Sequence, residues 1–328
     1  MYFLKFTYHL IYRAFYILLK KKKEERWGAV YLQQLEQKFG GKFDERTFKK
    51  IIFYYSLKVP AICDAFLYLH KKKTNRQECE RLIHYFICSS VFDNFFDREE
   101  LTDEEIYKIT FDSKNWQANN FNENISLHSH LLLIDFVKNK EHYLSVLKKE
   151  YDVQVASRKQ FNETITNKEI EHITLEKGGN AVLLTSFYLD TPASVYEENV
   201  WYKLGNVIQY VNDLFDIYRD LQNGLQTIPN RLVDVKPFRT YYLQLVDDVK
   251  QNIKAIDVAE SRKMVLKISA MGICALGIIA IEQLEKIQST NKELPNLKTL
   301  PRKDLIVDME KKKNLWRWLQ VTYNLSKN

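Results

Sequence analysis

Glycine and proline are scarce in this chain, at 9 and 6 of 328 residues. Sheet proteins need such residues in turns at short intervals, and long helices do not. The shortage argues against sandwiches and barrels and favours an all-α fold. Cysteine is scarcer still. Cys63, Cys79, Cys88 and Cys274 form no CxxC pair, which removes zinc-ribbon and thioredoxin-like chemistry and suits reduced thiols in a cytoplasmic protein. No stretch resembles a nucleic-acid-binding signature, so no nucleic acid is expected as a partner. Long hydrophobic runs are missing too. The best, Ile268 to Ile281, is about fourteen residues, short of a bilayer span, and is expected as a buried core helix. Met1 to Leu19 is interrupted by Lys5, His9 and Arg13 and lacks a small-residue cleavage site, so it is not a standard secretory signal.

What is present is apolar and charged. At 45% hydrophobic residues the chain can bury a large core. The formal charge of +7 fits first a solvated lysine-rich surface, and second an anionic membrane or phosphorylated ligand. Residues 2–20 are expected to be helical, with Lys20 to Lys23 following. This segment either packs on the body or lies in a membrane interface with its lysines on anionic head groups. The expected organisation is an N-terminal basic aromatic helix over 1–25 and one helical domain over 26–328. Membrane contact through 1–23 would make the protein cytoplasmic but membrane-peripheral. A homodimer is left open.

Further helices are expected at 27–39, 45–70 (kinked or bounded at Pro60), 76–97, 127–166, 168–189, 197–222, 237–257, 261–288 and 301–325. Residues 112–126, polar and asparagine-rich, read as a loop. Gly178-Gly179 reads as a helix break. His128 and His130, two apart, share no helical face and read as surface or capping residues.

One stretch carries chemistry. Asn212, Asp216 and Asp220 recur at i, i+4 and i+8, one stripe of a helix otherwise rich in Val, Leu, Phe and Tyr. Carboxylates on an apolar helix repel one another and resist desolvation unless a cation offsets them. Oxygen donors in a row suit a hard divalent ion such as Mg²⁺. Asp93 and Asp97, at i and i+4, close the apolar helix 76–97. Acidic stripes on two helices of a bundle could hold Mg²⁺ around a diphosphate, with the ligand's hydrocarbon part in the apolar interior.

The stretch Val211 to Asp220 resembles the second metal motif of class I terpene synthases, Asn-Asp-x-x-Ser-x-x-x-Glu with a basic residue before the Glu. Asn212 matches the Asn, Asp216 stands at the Ser position, Arg219 at the basic one and Asp220 at the Glu. Asp93-Asn94-Phe95-Phe96-Asp97 resembles the first, aspartate-rich motif, with Asn94 where many members have Asp. The Asp at both variable positions also resembles prenyltransferases and squalene synthases.

The resemblance implies a single helical bundle of the class I isoprenoid synthase type with an apolar central cavity. It implies three Mg²⁺ ions, or Mn²⁺ in their place, held by Asp93, Asp97, Asn212, Asp216 and Asp220. Lys177, Arg219 and Arg317 would bind the diphosphate. The substrate implied is a prenyl diphosphate, ionised by a terpene synthase or used by a prenyltransferase. A non-catalytic, membrane-associated helical protein is the reading from another class. No arginine matches the family's diphosphate sensor; Arg158 is nearest. Tyr210, Phe215, Phe92, Phe96, Tyr188 and Phe187 are aromatic candidates to face a cation, although core packing is the ordinary fate of such rings.

Overall fold

The structure is a computed structural model, describing residues 2–288 and 292–327. Among the described residues every regular element is helical, so the all-α expectation holds. The chain divides into two compact units. The first holds residues 1–151 and 184–192, and the second 152–183 and 193–328.

The first unit begins with α1 (Tyr2–Phe39), followed by α2 (Glu45–Lys58). The expected gap between 20 and 27 is absent. Lys20 to Glu25 are good helix formers, and Gly28 is tolerated mid-helix, sitting against Ile52, Tyr55 and Ile83. Gly40, at φ +66°, ends α1. The Gly41 amide then returns to the Glu36 carbonyl at 3.1 Å, a Schellman closure that needs a left-handed residue. Asp44 caps α2 through the Thr47 amide at 2.9 Å. Pro60 interrupts the helix as expected, producing a π-turn over Val59–Cys63. Arg13 reaches from α1 to bind the Pro60 carbonyl at 2.9 Å, one of the groups such an irregularity frees.

After the short α3 (Asp64–Leu67) comes α4 (Arg76–Asp97). Asn75 and Glu78 open it with a reciprocal capping box. Next are α5 (Asp103–Phe111), α6 (Phe121–Phe136) and α7 (Lys140–Ser157), which passes into the second unit. The asparagine-rich loop is shorter than expected, because Asn120 caps α6 through the Glu123 amide at 3.0 Å. His130 is buried, not on the surface. Its Nε2 pairs with the Thr110 carbonyl at 2.7 Å in the last turn of α5. His84 lies between Tyr31 and Ser129, and burial lowers it to about 3, so it is neutral.

The second unit takes α8 (Asn167–Ser186, with its last residues in the first unit), α9 (Val195–Phe215), α10 (Ile217–Gln222), α11 (Val235–Ala255), α12 (Glu260–Gln288), α13 (Arg302–Leu305) and α14 (Lys312–Lys327). The helix expected at 301–325 is therefore two, parted at 306–311. Glu45–His70 and Glu260–Gln288 are long and apolar enough to cross a membrane by composition. However, 61% and 72% of their most apolar stretches are buried inside the protein, the disposition of core helices.

Candidate functional site

Helix α8 runs unbroken through Gly178-Gly179, which corrects the expected break. The glycines serve a helix crossing instead. A Cβ on Gly178 would strike the Gly205 carbonyl of α9, one on Gly205 would strike Gly178, and one on Gly179 would meet Tyr202 and Asn206. Gly is helix-weakening by ~0.5–1 kcal/mol per residue relative to Ala, and backbone-to-backbone packing offsets that here. The crossing brings Thr174 and Lys177 of α8 beside the second half of α9.

The row at 212–220 is not one even stripe. Helix α9 ends at Phe215, Asp216 sits at φ −96° and ψ 3°, and α10 starts at Ile217. The i→i−4 bonds continue across the bend, from the Asp216 amide to Asn212 and from the Asp220 amide to Asp216. Asp220 is buried, Asn212 and Asp216 are half-buried and Arg219 is exposed.

Asp213 joins them. Its Oδ1 accepts from Gln209 Nε2 at 2.9 Å and its Oδ2 from Thr174 at 3.4 Å. Burial lifts its carboxyl to about 6, although Gln209, Lys177 and Thr174 oppose the rise. Burial, then the charges of Asp213 and Asp216, push Asp220 up to about 7. Asp216 is raised by burial against the pull of Arg219. The Arg219 guanidinium bonds Asp216 at 2.5 Å and lies 3.7 Å from Asp220. Burial thus works against the charged form of all three carboxylates at this bend, with Arg219 bonded to Asp216 opposing it.

Sequence spacing could have found Asp213. Gln209, Asp213, Asp216 and Asp220 follow i, i+4, i+7 and i+11, the spacing of a buried helical face. The row 212, 216, 220 drew attention to a neighbouring stripe.

The first unit holds the other acidic pair. Asp93 is bonded to Lys50 of α2 at 2.6 Å. Lys50 is raised because Asp93, then Asp97, outweigh its burial. Lys58, a second α2 lysine within the field of Asp93, is lowered by burial to about 8. Asp97 is exposed at the end of α4. Asn94 does not stand in for a ligand. It is buried and donates to Thr47 Oγ1 at 2.9 Å, while Arg98 reaches the Asp44 cap at 3.2 Å. The end of α4 is therefore tied to the start of α2. Neither lysine was legible from the sequence, because only the α2–α4 packing brings them to Asp93.

Asp93 and Asp97 belong to the first unit. Asn212, Asp216, Asp220, Lys177, Arg219 and Arg317 belong to the second. Arg317 is held by Glu282 of α12 in a forked pair, at 2.6 and 3.0 Å, and its neighbour Trp318 donates to the Gly272 carbonyl at 2.7 Å. Of the aromatic candidates, Tyr210, Tyr188 and Phe96 are buried. Tyr188 bonds Tyr143 through the hydroxyls at 3.0 Å, and Tyr210 packs on Phe238 and Tyr241. Phe92, Phe187 and Phe215 are half-buried.

The donor set at the α9–α10 bend is all oxygen, which fits Mg²⁺ rather than a softer ion. Among the described residues no three His, Cys, Asp or Glu side chains are gathered into a ready metal cage. Mg²⁺ seldom uses one, since it is commonly bound by one or two carboxylates together with substrate phosphates and water.

No family model matches this sequence, and no curated protein matches it. Among solved structures the chain is similar to a dehydrosqualene synthase determined in complex with a ligand, at 13% identity and a TM-score of 0.42, over 86% of this chain and 97% of that one. A superposition this loose assigns neither a fold type nor a chemistry.

Proposed function

We propose that this chain is a Mg²⁺-dependent class I terpene synthase that ionises a prenyl diphosphate and releases inorganic diphosphate. The observation that carries the reading is the gathering of Asp213, Asp216 and Asp220 at the α9–α10 bend, two of them buried and all raised, a set that added cations would stabilise in its ionised form.

Asn212, Asp216 and Asp220 would hold Mg²⁺ in the second unit, with Asp213 close behind, and Asp93 and Asp97 in the first. Bound Mg²⁺ supplies Lewis-acid neutralisation of the charge that grows on the departing diphosphate. Arg219 is exposed, so it could exchange its bond to Asp216 for diphosphate oxygens once a cation takes over the carboxylate. Lys177 adds positive charge to the same cluster, and Lys50 and Lys58 do so beside Asp93. Gln209 and Thr174 fix the Asp213 carboxylate and so limit its rotation. When the allylic carbon–oxygen bond breaks, its electron pair leaves with the diphosphate. The remaining carbocation then loses a proton, cyclises or takes up water.

A second reading, in which a second prenyl unit captures the cation, is favoured by one feature. The second acidic set is built from aspartates where terpene synthases carry Ser and Glu. Incubation of the full chain with Mg²⁺ and prenyl diphosphates of increasing length separates the two. Diphosphate release from a single substrate supports the synthase; a requirement for isopentenyl diphosphate, or a coupled product twice the substrate length, favours the prenyltransferase. If Asp97→Ala and Asp220→Ala both keep full Mg²⁺-dependent release, the metal assignment fails for either reading.

A further inference from the structure

The first half of α1 carries polar anchors on its inner face and a long apolar stripe on its outer one. Its polar side chains face the protein: Arg13, buried, binds the Pro60 carbonyl, while Tyr16 and Lys20 bond Asp64 at 2.7 and 2.8 Å. Phe6 is buried with them, but a run of apolar side chains faces outward. Leu4, Tyr8, Ile11, Phe15, Leu18 and Leu19 are all more than half exposed, Leu19 at 69%. Their spacing of three and four residues puts them on one face, about 22 Å long at the helical rise. Scattered exposed apolar residues are ordinary, but a contiguous stripe of this size marks an interaction surface.

The stripe runs into a charged cavity. Leu19 lines a cavity of about 550 Å³ together with Lys20, Lys23, Lys73 and Arg76. Glu24, also lining it, is taken up by Tyr55 and by Arg76 at 3.2 Å. Lys20 is neutralised by Asp64. Lys73 lies over the Tyr16 ring at 4.8 Å. That leaves Lys23 and Lys73 with no carboxylate partner among the described residues. Lys22 and Arg26 continue the exposed face with positive charge beyond the apolar part.

We infer that this face of α1 docks on an anionic phospholipid surface, with the apolar stripe among the acyl chains and a lipid phosphate in the Lys23–Lys73–Arg76 cavity. The occupant is chosen by the order of chemistry along one helix face. An apolar section followed immediately by a recess with an excess of positive charge matches the acyl-to-phosphate boundary of a leaflet. A partner protein's helix would satisfy the stripe but leave the recess unmatched. The inference is independent of the catalytic reading, because vesicle binding is scored without turnover.

The test is co-sedimentation of the full chain with phosphatidylcholine vesicles, with and without phosphatidylglycerol. Binding is expected only with the anionic lipid and should fall as salt is raised. Lys23→Gln and Lys73→Gln should each weaken it about fivefold, and Phe15→Glu with Leu19→Glu should abolish it. All four sites are at the surface or the cavity rim, and unchanged melting curves would show that the variants fold. The inference is overturned by wild-type protein that stays in the supernatant, or by variants that bind as wild type does. Binding of inorganic phosphate without vesicle binding overturns it as well. So does a dimer formed without lipid and dissociated by the Phe15→Glu and Leu19→Glu pair.

Discussion

The two acidic regions are opposites in charge balance. At the end of α4, Asp93 has Lys50 bonded to it and Lys58 nearby, while Asp97, exposed, also acts on Lys50. At the α9–α10 bend, burial raises three aspartates, Asp213 and Asp216 add to the rise of Asp220, and a single cation, Arg219, is bonded to the set. The first region is electrically satisfied as it stands. The second is not, because burial removes the water that would otherwise screen it. The two should therefore respond differently to metal, pH and substitution.

The largest difference is expected in activity. Asp220→Asn should lower kcat/KM for Mg²⁺-dependent diphosphate release about a thousandfold, the scale on which charge stabilisation in a transition state is lost. Asp93→Asn should cost only about tenfold, since Lys50 and Lys58 keep the positive charge of that region. Equal losses at both positions would erase the distinction drawn between the regions.

The next concerns what holds each region in place. Gly205→Ala drives a methyl into the backbone of α8, and should destabilise the protein by about 3 kcal/mol in urea unfolding. Gly28→Ala in α1 meets the ends of Ile52 and Ile83 and the ring edge of Tyr55, at 3.1–3.3 Å, and no backbone. Those side chains can shift, and the gain in helix propensity works the other way, so its effect should stay within about 1 kcal/mol. If Gly205→Ala is as mild as Gly28→Ala, the α8–α9 crossing does not position Thr174 and Lys177.

These glycines also show what the sequence could and could not reveal. The helical class followed from composition and the start of α4 was expected at 76, whereas α9 begins at Val195, two residues before the expected 197, behind a Ser194–Glu197 capping box. Gly178-Gly179 read as a break because local propensity says so. Only Gly205, 26 residues later in the chain, turns the pair into a crossing. The acidic residues of both motifs were legible as types, but their partners were not. Lys50 belongs to Asp93, and Thr174 to Asp213, through helix packing that no single segment encodes. In α1 the apolar–polar pattern was visible, yet which face turned inward depended on the Pro60 carbonyl and on Asp64.

A smaller effect separates the regions by pH. The folded-state pKa of Asp220 is raised, so its protonated form is favoured in the native state. Its contribution is harmless below about pH 4. Stability falls as pH rises toward 7, where the folded state must hold the charge. Asp220→Asn should therefore stabilise the metal-free protein at pH 8 by on the order of 2 kcal/mol. The gain should vanish near pH 4. Saturating Mg²⁺ should stabilise wild type at pH 8 and the variant much less. Thermal melts at the two pH values, with and without Mg²⁺, check all three parts.

The smallest effect lies within the balanced region, where the two lysines beside Asp93 have opposite signs. Lys50 is raised by Asp93 despite its burial, so its pair stabilises the fold at neutral pH and is lost only as pH passes above the folded pKa. It is partly exposed, at 30%, so Lys50→Met should cost no more than about 1 kcal/mol. Lys58 is lowered to about 8. Below that pH the native state carries a desolvated ammonium at a cost, and the cost fades as pH climbs toward the ordinary lysine value. Lys58→Met should therefore be neutral or stabilising by up to about 1 kcal/mol at pH 7, with the gain shrinking by pH 10. A lysine whose removal stabilises the empty protein, yet weakens inorganic diphosphate binding in a titration, is held for ligand rather than for fold. If Lys58→Met instead destabilises the protein as Lys50→Met does, both lysines serve packing around Asp93, and the first acidic region is structural.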